Sequence, residues 1–356
     1  MILSSPTSHI QRGKLDDIEV EAVGENMTLA GKRVFVTGGT GFLGGALVPR
    51  LASEGAHIRV VARNPQKGRY IQNLPKVEII QGDITQADSM HEAVRGCEIV
   101  FHVAASTGGS IDLQRQMNTI GTRNVAQAAA SAGVMRFVHV STVAVYGYRQ
   151  QGDVTEDTPL DPGQDPYNIT KAEAEHELRQ IAAEHRMPYS IIRPSMIYGP
   201  RSGMWTGVLF KVARRRPTLF LGSGDGTTFP IYVDDVVDLM ITLAEHPEAV
   251  GEAFNCSPDP SPTWREFLGA YSRLAGHQGW LGFPPALAYP VANLVSALAR
   301  PETQLKEAGN FVRLTQSNVT YKMTKARDRL GWQAKIGLEE GVKQCEPWLR
   351  QKGLLK

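Results

Sequence analysis

The stretch Arg33–Glu54, RVFVTGGTGFLGGALVPRLASE, decides the fold. Its first five residues, Arg33–Thr37, are mainly β-branched and aromatic and predict a short buried strand. Gly38, Gly39, Gly41 and Gly44 crowd the following turn, and an amphipathic helix comes next. Gly38, Gly41 and Gly44 fit the spacing G-x-x-G-x-x-G. A first glycine permits a tight turn, a second lets a pyrophosphate approach the backbone, and a third packs helix against strand. Free N–H groups at the helix start then face the anion. Strand before and helix after are the context that makes a glycine triplet a dinucleotide site. Pro49 lies inside the helix and removes one of its hydrogen bonds.

Outward from this stretch, strand and helix patterns alternate. Strands are expected at Arg33–Thr37, His57–Ala62, Val77–Gln81, Ile99–Ala104, Arg136–Ser141 and Tyr189–Arg193. Helices are expected at Phe42–Glu54, Asp88–Arg95, Asp112–Ala132 and Pro166–Arg186. This alternation predicts an α/β fold, a doubly wound parallel sheet with helices on both faces and right-handed crossovers. Past Pro194 the rhythm changes. Helices at Trp205–Arg215, Val233–Glu245, Thr263–Ala275, Pro285–Ala299 and Leu338–Gln351, with short strands near Thr218–Leu221 and Ala253–Cys256, predict a smaller, mainly helical C-terminal substrate lobe. The expected division is a tail over 1–31, a dinucleotide-binding domain over 32–200, and a lobe over 201–356 that returns some elements to the sheet. Met1–Gly31 is polar and without period, as in a disordered or loosely docked tail. Met27, just ahead of the first strand, is a second candidate initiation site; intact mass of the native protein decides it.

The chain has 356 residues, 42% of them hydrophobic, and a net charge of +2. Near-neutral charge gives no reason to expect a nucleic-acid partner. Cys97, Cys256 and Cys345 are far apart, form no C-x-x-C pair and offer no metal spacing, so a reduced, cytoplasmic setting without a metal is expected. The first twenty residues contain charges and no apolar run, unlike a secretory signal. Gly279–Ala299 contains no charged residue. Gly282, Pro284, Pro285, Pro290 and Asn293 interrupt it too often for a membrane span. It is expected to form a buried lobe helix, a dimer contact, an apolar wall of the substrate pocket, or a shallow membrane contact.

The second strand ends Ala62-Arg63-Asn64, with Lys67 and Arg69 following. A carboxylate there would accept from the adenosine ribose 2′-OH, whereas an arginine accommodates a 2′-phosphate. Arg63 therefore predicts NADP(H) over NAD(H), which stays the alternative. Asp83 ends the third strand, either to accept from the adenine amino group or to cap the next helix. Ala104 and Ala105 follow the fourth strand and let backbone approach the cofactor. His102, just before them, is expected to be a packed histidine.

Tyr167-Asn168-Ile169-Thr170-Lys171 reads Y-x-x-x-K, and on a helix these two residues share a face. An ammonium beside a phenol lowers the phenol pKa, so Tyr167 is the candidate general acid or base. Lys171 would also bond the nicotinamide ribose. The fifth strand ends in Ser141 and Thr142, either of which could hold a substrate oxygen against Tyr167.

Taken together, TGGTGFLG (37–44), GDIT (82–85), FHVAA (101–105), NTIGTRNV (118–125), VSTVAVYG (140–147), YNITK (167–171), RPSMIYGP (193–200) and YVDDV (232–236) resemble the extended short-chain dehydrogenase/reductases. The resemblance implies a Rossmann fold. It places the catalytic hydroxyl four residues before Tyr146, at Thr142, and adds Thr40, Phe42, Leu43 and Ile84 to the cofactor set. Pro194, Ser195 and Ile197 would cover the nicotinamide. A homodimer through the helices over 112–132 and 166–186 is expected, as in relatives. Two departures bear on substrate. The position where sugar-nucleotide enzymes of this family carry a diphosphate-binding arginine is Thr228, and the acid–base pair that follows the threonine in dehydratases is Val143-Ala144. Arg201 or Arg214–Arg216 could supply charge by another route. The C-terminal half is most similar to the 3β-hydroxysteroid and sterol-carboxylate dehydrogenase branch, while Arg63 fits ketone reductases better. The implied function is hydride transfer between nicotinamide and a secondary alcohol or ketone of an apolar molecule. The alternatives are a sugar-nucleotide epimerase with tightly bound NAD and a non-catalytic cofactor-sensing protein.

Overall fold

The computed structural model describes residues 26–147, 151–298 and 312–356. At its centre is a seven-stranded parallel sheet built from β1 (Arg33–Thr37), β2 (His57–Ala62), β3 (Val77–Gln81), β4 (Ile99–His102), β5 (Arg136–Val140), β7 (Tyr189–Pro194) and β11 (Glu252–Cys256), in the order β11-β7-β5-β4-β1-β2-β3. The strands' side chains alternate between two cores. Val34 and Val36 join Leu47, Val48 and Leu51 of the Gly44–Ser53 helix on one face. Phe35 joins Met90, Val125 and Leu178 on the other, from helices Ala87–Val94, Gly121–Ser131 and Pro166–His185. This period-two segregation is what a sheet covered on both faces requires. The chain runs outward from β1 to β3, then returns to β4 on β1's other side. That switch opens a crevice beyond the C-terminal ends of β1 and β4, where ligands of such sheets bind.

Several expectations are refined or corrected. Glu252–Cys256 is an element of 201–356 that returns to the main sheet, as its edge strand, in register with β7 from Ser190 to Pro194. The Val233–Glu245 helix covers the same sheet, with Val236, Val237 and Met240 in the core that holds Val34 and Val36. Residues 27–31 are tied down: Met27 N donates to Glu245 O, Leu29 N donates to Glu245 Oε1, and Leu29 is fully buried. The rest of the expected tail, 1–25, lies outside the described residues. The long helix expected over 112–132 contains a π-helical stretch at Arg115–Ile120. The helix expected at Trp205–Arg215 likewise begins with a π-helical stretch, Gly203–Val208, before Leu209–Ala213. Leu338–Gln351 divides into Leu338–Gln344 and Glu346–Gln351, because Pro347 has no N–H to continue the first helix and suits the start of the second.

Three two-stranded parallel pairs flank the sheet: β8 (Met196–Tyr198) with β10 (Pro230–Tyr232), β9 (Thr218–Leu221) with β12 (Trp280–Phe283), and β6 (Gln151–Val154) with β13 (Asn318–Tyr321). All but β9 escaped the sequence reading, since three or four residues are too few to display a period. The charge-free stretch supplies β12 and the Pro285–Leu298 helix; Ala299 lies outside the described residues. No helix among the described residues is long and apolar enough to cross a membrane.

Candidate active site

The crevice is a cavity of about 380 Å³, within the range of small-molecule sites. Gly38 has φ +70°, and a Cβ there would sit 2.7 Å from Ala104 N. A Cβ on Gly44 would fall on the Gly38 carbonyl oxygen. Neither position tolerates a side chain without movement of backbone. The helix that begins at Gly44 has no side-chain cap and no acid in its first turn. Its free N–H groups and positive dipole end are left for an anion. The cradle therefore fits a pyrophosphate, on the geometry of backbone alone.

Of the residues singled out in the sequence, Gly38, Thr40, Gly41, Phe42, Leu43, Gly44, Arg63, Asp83, Ile84, Ala104, Ala105, Thr142, Tyr167, Pro194, Ser195 and Ile197 all line this cavity. Val61, Ala62, Gly82, Val103, Thr107, Met117, Val140 and Ser141 complete the lining. Lys171 does not reach it, and no residue of 279–298 does, so the described structure gives the apolar stretch no place in the pocket wall. Asp83 is not a helix cap. Its Oδ1 accepts from Thr85 N and Thr85 Oγ1, each at 3.0 Å, while Gln86 occupies the cap position of the next helix.

A polar frame holds the crevice walls. Thr37 Oγ1 accepts from Val103 N and Ala104 N at 3.1 Å and lies 2.8 Å from His102 Nδ1. His102 Nε2 lies 2.9 Å from Thr122 Oγ1, which donates to Asn118 O. One tautomer satisfies the chain: the Thr37 hydroxyl donates to Nδ1, and Nε2–H donates to Thr122. Burial pushes the His102 imidazole down to about 3, with the Lys171 ammonium adding to the effect. His102 is thus a neutral strut between β1, β4 and the helix beside them. Asn118 extends the frame: its Oδ1 accepts from Ser106 N, and its Nδ2 donates to Ser106 O and Thr170 Oγ1. It lies in the π-helical stretch, a distortion common at functional sites. Its signal in the sequence was the NTIGTRNV segment, which carries no catalytic side-chain pattern of its own.

Asp165 starts the Pro166–His185 helix by accepting from Tyr167 N and Asn168 N, and Pro166 occupies the first helical turn. This sets Tyr167 against the cavity, which Thr142 also lines. Thr142 is held in turn by accepting from Ala144 N at 3.2 Å. Ser141 lines the cavity as well. Burial pushes the Tyr167 phenol up to about 12, with the Thr142 hydroxyl opposing. The expected lowering by Lys171 is therefore absent. Lys171 Nζ donates to Val140 O at 2.7 Å and lies 3.3 Å from His139 Nε2, behind the cavity wall. Burial lowers the Lys171 ammonium to about 8, with Glu175 opposing.

One turn beyond Lys171, Glu175 is fully buried and chelated by Arg193, Nε to Oε1 at 2.9 Å and Nη2 to Oε2 at 2.7 Å. Burial pushes this carboxyl up, but the Arg193 guanidinium holds it below the usual range. Arg193 also donates to Tyr146 Oη at 2.6 Å, and Tyr146 donates to Asn255 Oδ1 at 2.9 Å. The network joins the Pro166–His185 helix to β7 and β11. Its sequence signal was an acid eight residues past Tyr167, on the helix face meant for the core.

Thr228 is fully buried, and its hydroxyl is directed at Met196 Sδ. His102, Asp83, Thr142 and Thr228 thus receive defined places, while Arg63 is exposed at the cavity's edge.

Residues 34–257 match the NAD dependent epimerase/dehydratase family, and the chain belongs to that family. It is 30% identical over 90% of its length to a UDP-glucose 4-epimerase of Mycolicibacterium smegmatis, spanning 99% of that protein. It is 29% identical, over 87% of its length, to two further proteins. One is 3beta-hydroxysteroid-dehydrogenase/decarboxylase isoform 1 of Arabidopsis thaliana, covered to 77%. The other is a 4-hydroxy-2-methyl-3-oxo-4-farnesyl-3,4-dihydroquinoline-1-oxide ketoreductase of Stigmatella aurantiaca, covered to 94%. Among solved structures, the UDP-glucose 4-epimerase of Thermotoga maritima superposes with a TM-score of 0.72 at 24% identity, covering 90% of this chain and 99% of that one. That likeness is one of fold. The extended short-chain dehydrogenase/reductase resemblance agrees with the family and with these relatives.

Proposed function

We propose that this protein is an NADP(H)-dependent dehydrogenase/reductase acting on a ketone or secondary alcohol of an apolar molecule. The observation that carries the reading is that Thr142 and Tyr167 line the same cavity as the glycine cradle. The cofactor, when bound, supplies or accepts the hydride at the carbon of the substrate C–O group. Gly38, Gly41 and Gly44 hold its pyrophosphate end, and Pro194, Ser195 and Ile197 bound the other end of the cavity. Thr142 holds the substrate oxygen. Tyr167 gives its proton to that oxygen as the carbonyl is reduced, or takes it in the reverse direction. A phenol held protonated by burial suits the reducing direction, because the proton stays available until the oxygen becomes basic. Lys171, on the same helix as Tyr167, and His139 of β5 are positioning residues behind the cavity wall.

Arg63, at the cavity's edge with no carboxylate at its strand end, supports NADP(H). Buried Thr228, which takes the place of a diphosphate-binding arginine, and the farnesylated ketone named for the Stigmatella relative support an apolar substrate. A second reading, a sugar-nucleotide epimerase, is favoured by the identity to the M. smegmatis enzyme across nearly its whole length. A screen following NADPH absorbance, with ketones, sterols, β-keto acids and UDP-sugars, separates the two. Consumption of NADPH with an apolar ketone, lost by about 10²–10⁴-fold in Tyr167→Phe at unchanged NADPH affinity, is expected. Interconversion of UDP-sugars without net redox change would replace the first reading by the second. A preference for NADH that Arg63→Ala leaves unaltered would remove the NADP(H) assignment.

A further inference from the structure

The longest charge-free stretch of the chain has not been absorbed by the active site. β12 and the helix Pro285–Leu298 turn large apolar side chains to solvent: Trp280, Leu281, Phe283, Leu287, Leu294 and Leu298 are between 46 and 78% exposed. Leu287, Leu294 and Leu298 stand seven and four residues apart, so they form one stripe on one helix face. On the strand side, Leu281 pairs with Leu219 of β9, itself half exposed. Single exposed leucines need no explanation, but a contiguous ribbon and helix stripe marks an interaction surface.

Arginines border this face, and the acid beside it, Asp225, is held by Arg265. Arg215 and Arg216 are exposed just before β9, and Arg216 reaches the Ala275 and Gly276 carbonyls at the base of the β12 ribbon. Neither forms an ion pair among the described residues. Arg265 lies over the Trp280 ring at 4.4 Å, where it also meets Asp225. A second copy of this face would bring more leucines and more arginines, and no carboxylate from 279–298 to meet them. The partner that satisfies both parts has an apolar interior and an anionic surface.

We propose that this lobe face docks on an anionic lipid surface, with the Trp280–Phe283 ribbon and the leucine stripe entering the headgroup boundary and Arg215 and Arg216 meeting lipid phosphates. The helix has fourteen residues and enters the interface without spanning it. Docking does not depend on the proposed reaction, and it is read without turnover.

The test is flotation of the full chain with phosphatidylcholine vesicles, with and without phosphatidylglycerol. Binding to the anionic vesicles alone is expected, weakening with added salt. Arg215→Gln should reduce partitioning about fivefold. Leu281→Gln with Leu287→Gln should reduce it more than tenfold, at unchanged circular dichroism and NADPH affinity. Absence of binding to anionic vesicles, or undiminished binding by the double variant, overturns the proposal. So does a dimer in free solution that the double variant splits, since the face would then belong to a second copy.

Discussion

Two regions of this molecule invert the ordinary placement of side chains, in opposite directions. Under the Pro166–His185 helix, Lys171, Glu175 and Arg193 are buried, together with His102 and His139. On the lobe, Trp280, Leu281 and Leu298 stand in solvent. Most of the buried set is satisfied from within: Glu175 by Arg193, Arg193 by Tyr146, Lys171 by Val140 O, and His102 by two threonines, while His139 Nδ1 has no hydrogen-bond partner among the described residues. The exposed set is covered far less: Trp280 meets Phe220 and Arg265, yet it, Leu281 and Leu298 remain 46 to 78% exposed. Burial here follows the supply of partners, and polarity alone is a poor guide to it.

The comparison can be broken most forcefully at its buried end. Arg193→Met leaves Glu175 charged and unpaired apart from the half-exposed Arg179, and should cost about 3–5 kcal/mol of stability in urea unfolding. A loss below 1 kcal/mol would mean that the network is not the tie between helix, β7 and β11. Gly44→Ala drives a methyl group onto the Gly38 carbonyl, and NADPH affinity in calorimetry should fall at least about tenfold. Acid supplies a third probe. His102 is held near 3 in the folded chain against about 6.5 when exposed, so the unfolded chain binds the extra proton between these values. Its contribution to stability is complete above about pH 6.5 and drains away as pH falls toward 3. His139, also held well below its ordinary value by burial and by Lys171, acts in the same direction. Each histidine should steepen the acid limb by about 1.4 kcal/mol per pH unit, and His102→Gln should flatten it by one proton. The smallest effect belongs at the other end of the comparison. Leu219→Ser and Leu281→Ser should each change stability by no more than about 0.5 kcal/mol, because little burial is lost.

What was legible in the sequence divides along the same line. β1, β2 and β3 were read with the bounds they have, because continuous apolar runs between turn residues are a local signal. The cradle was legible because its chemistry is backbone chemistry, recorded in glycines. The place of Tyr167 at the cavity was legible from a helical spacing, while the strand end left Ser141 and Thr142 open, and both line the cavity. The direction of the Tyr167 shift was not, because it depends on where Lys171 points, and that is fixed by Val140 and His139 on another strand. The partnership of Glu175 with Arg193 spans two elements and leaves no periodic trace. Apart from β9, the short strands pair with distant segments between residues 151 and 321 and left no readable period of their own.

The edge strand β11 has a consequence in time. A ribosome delivers β7 first, and the sheet then ends in an open strand, Tyr189–Pro194, whose N–H and C=O groups wait for Glu252–Cys256. At about 5–20 residues per second that wait lasts roughly 3–12 s. Asn255, the acceptor for Tyr146, arrives with the same segment, so the clasp on the catalytic helix closes only when the sheet does. During synthesis the cofactor half is thus a sheet with an unsealed seam, and the strand that seals it is carried by the half that comes last.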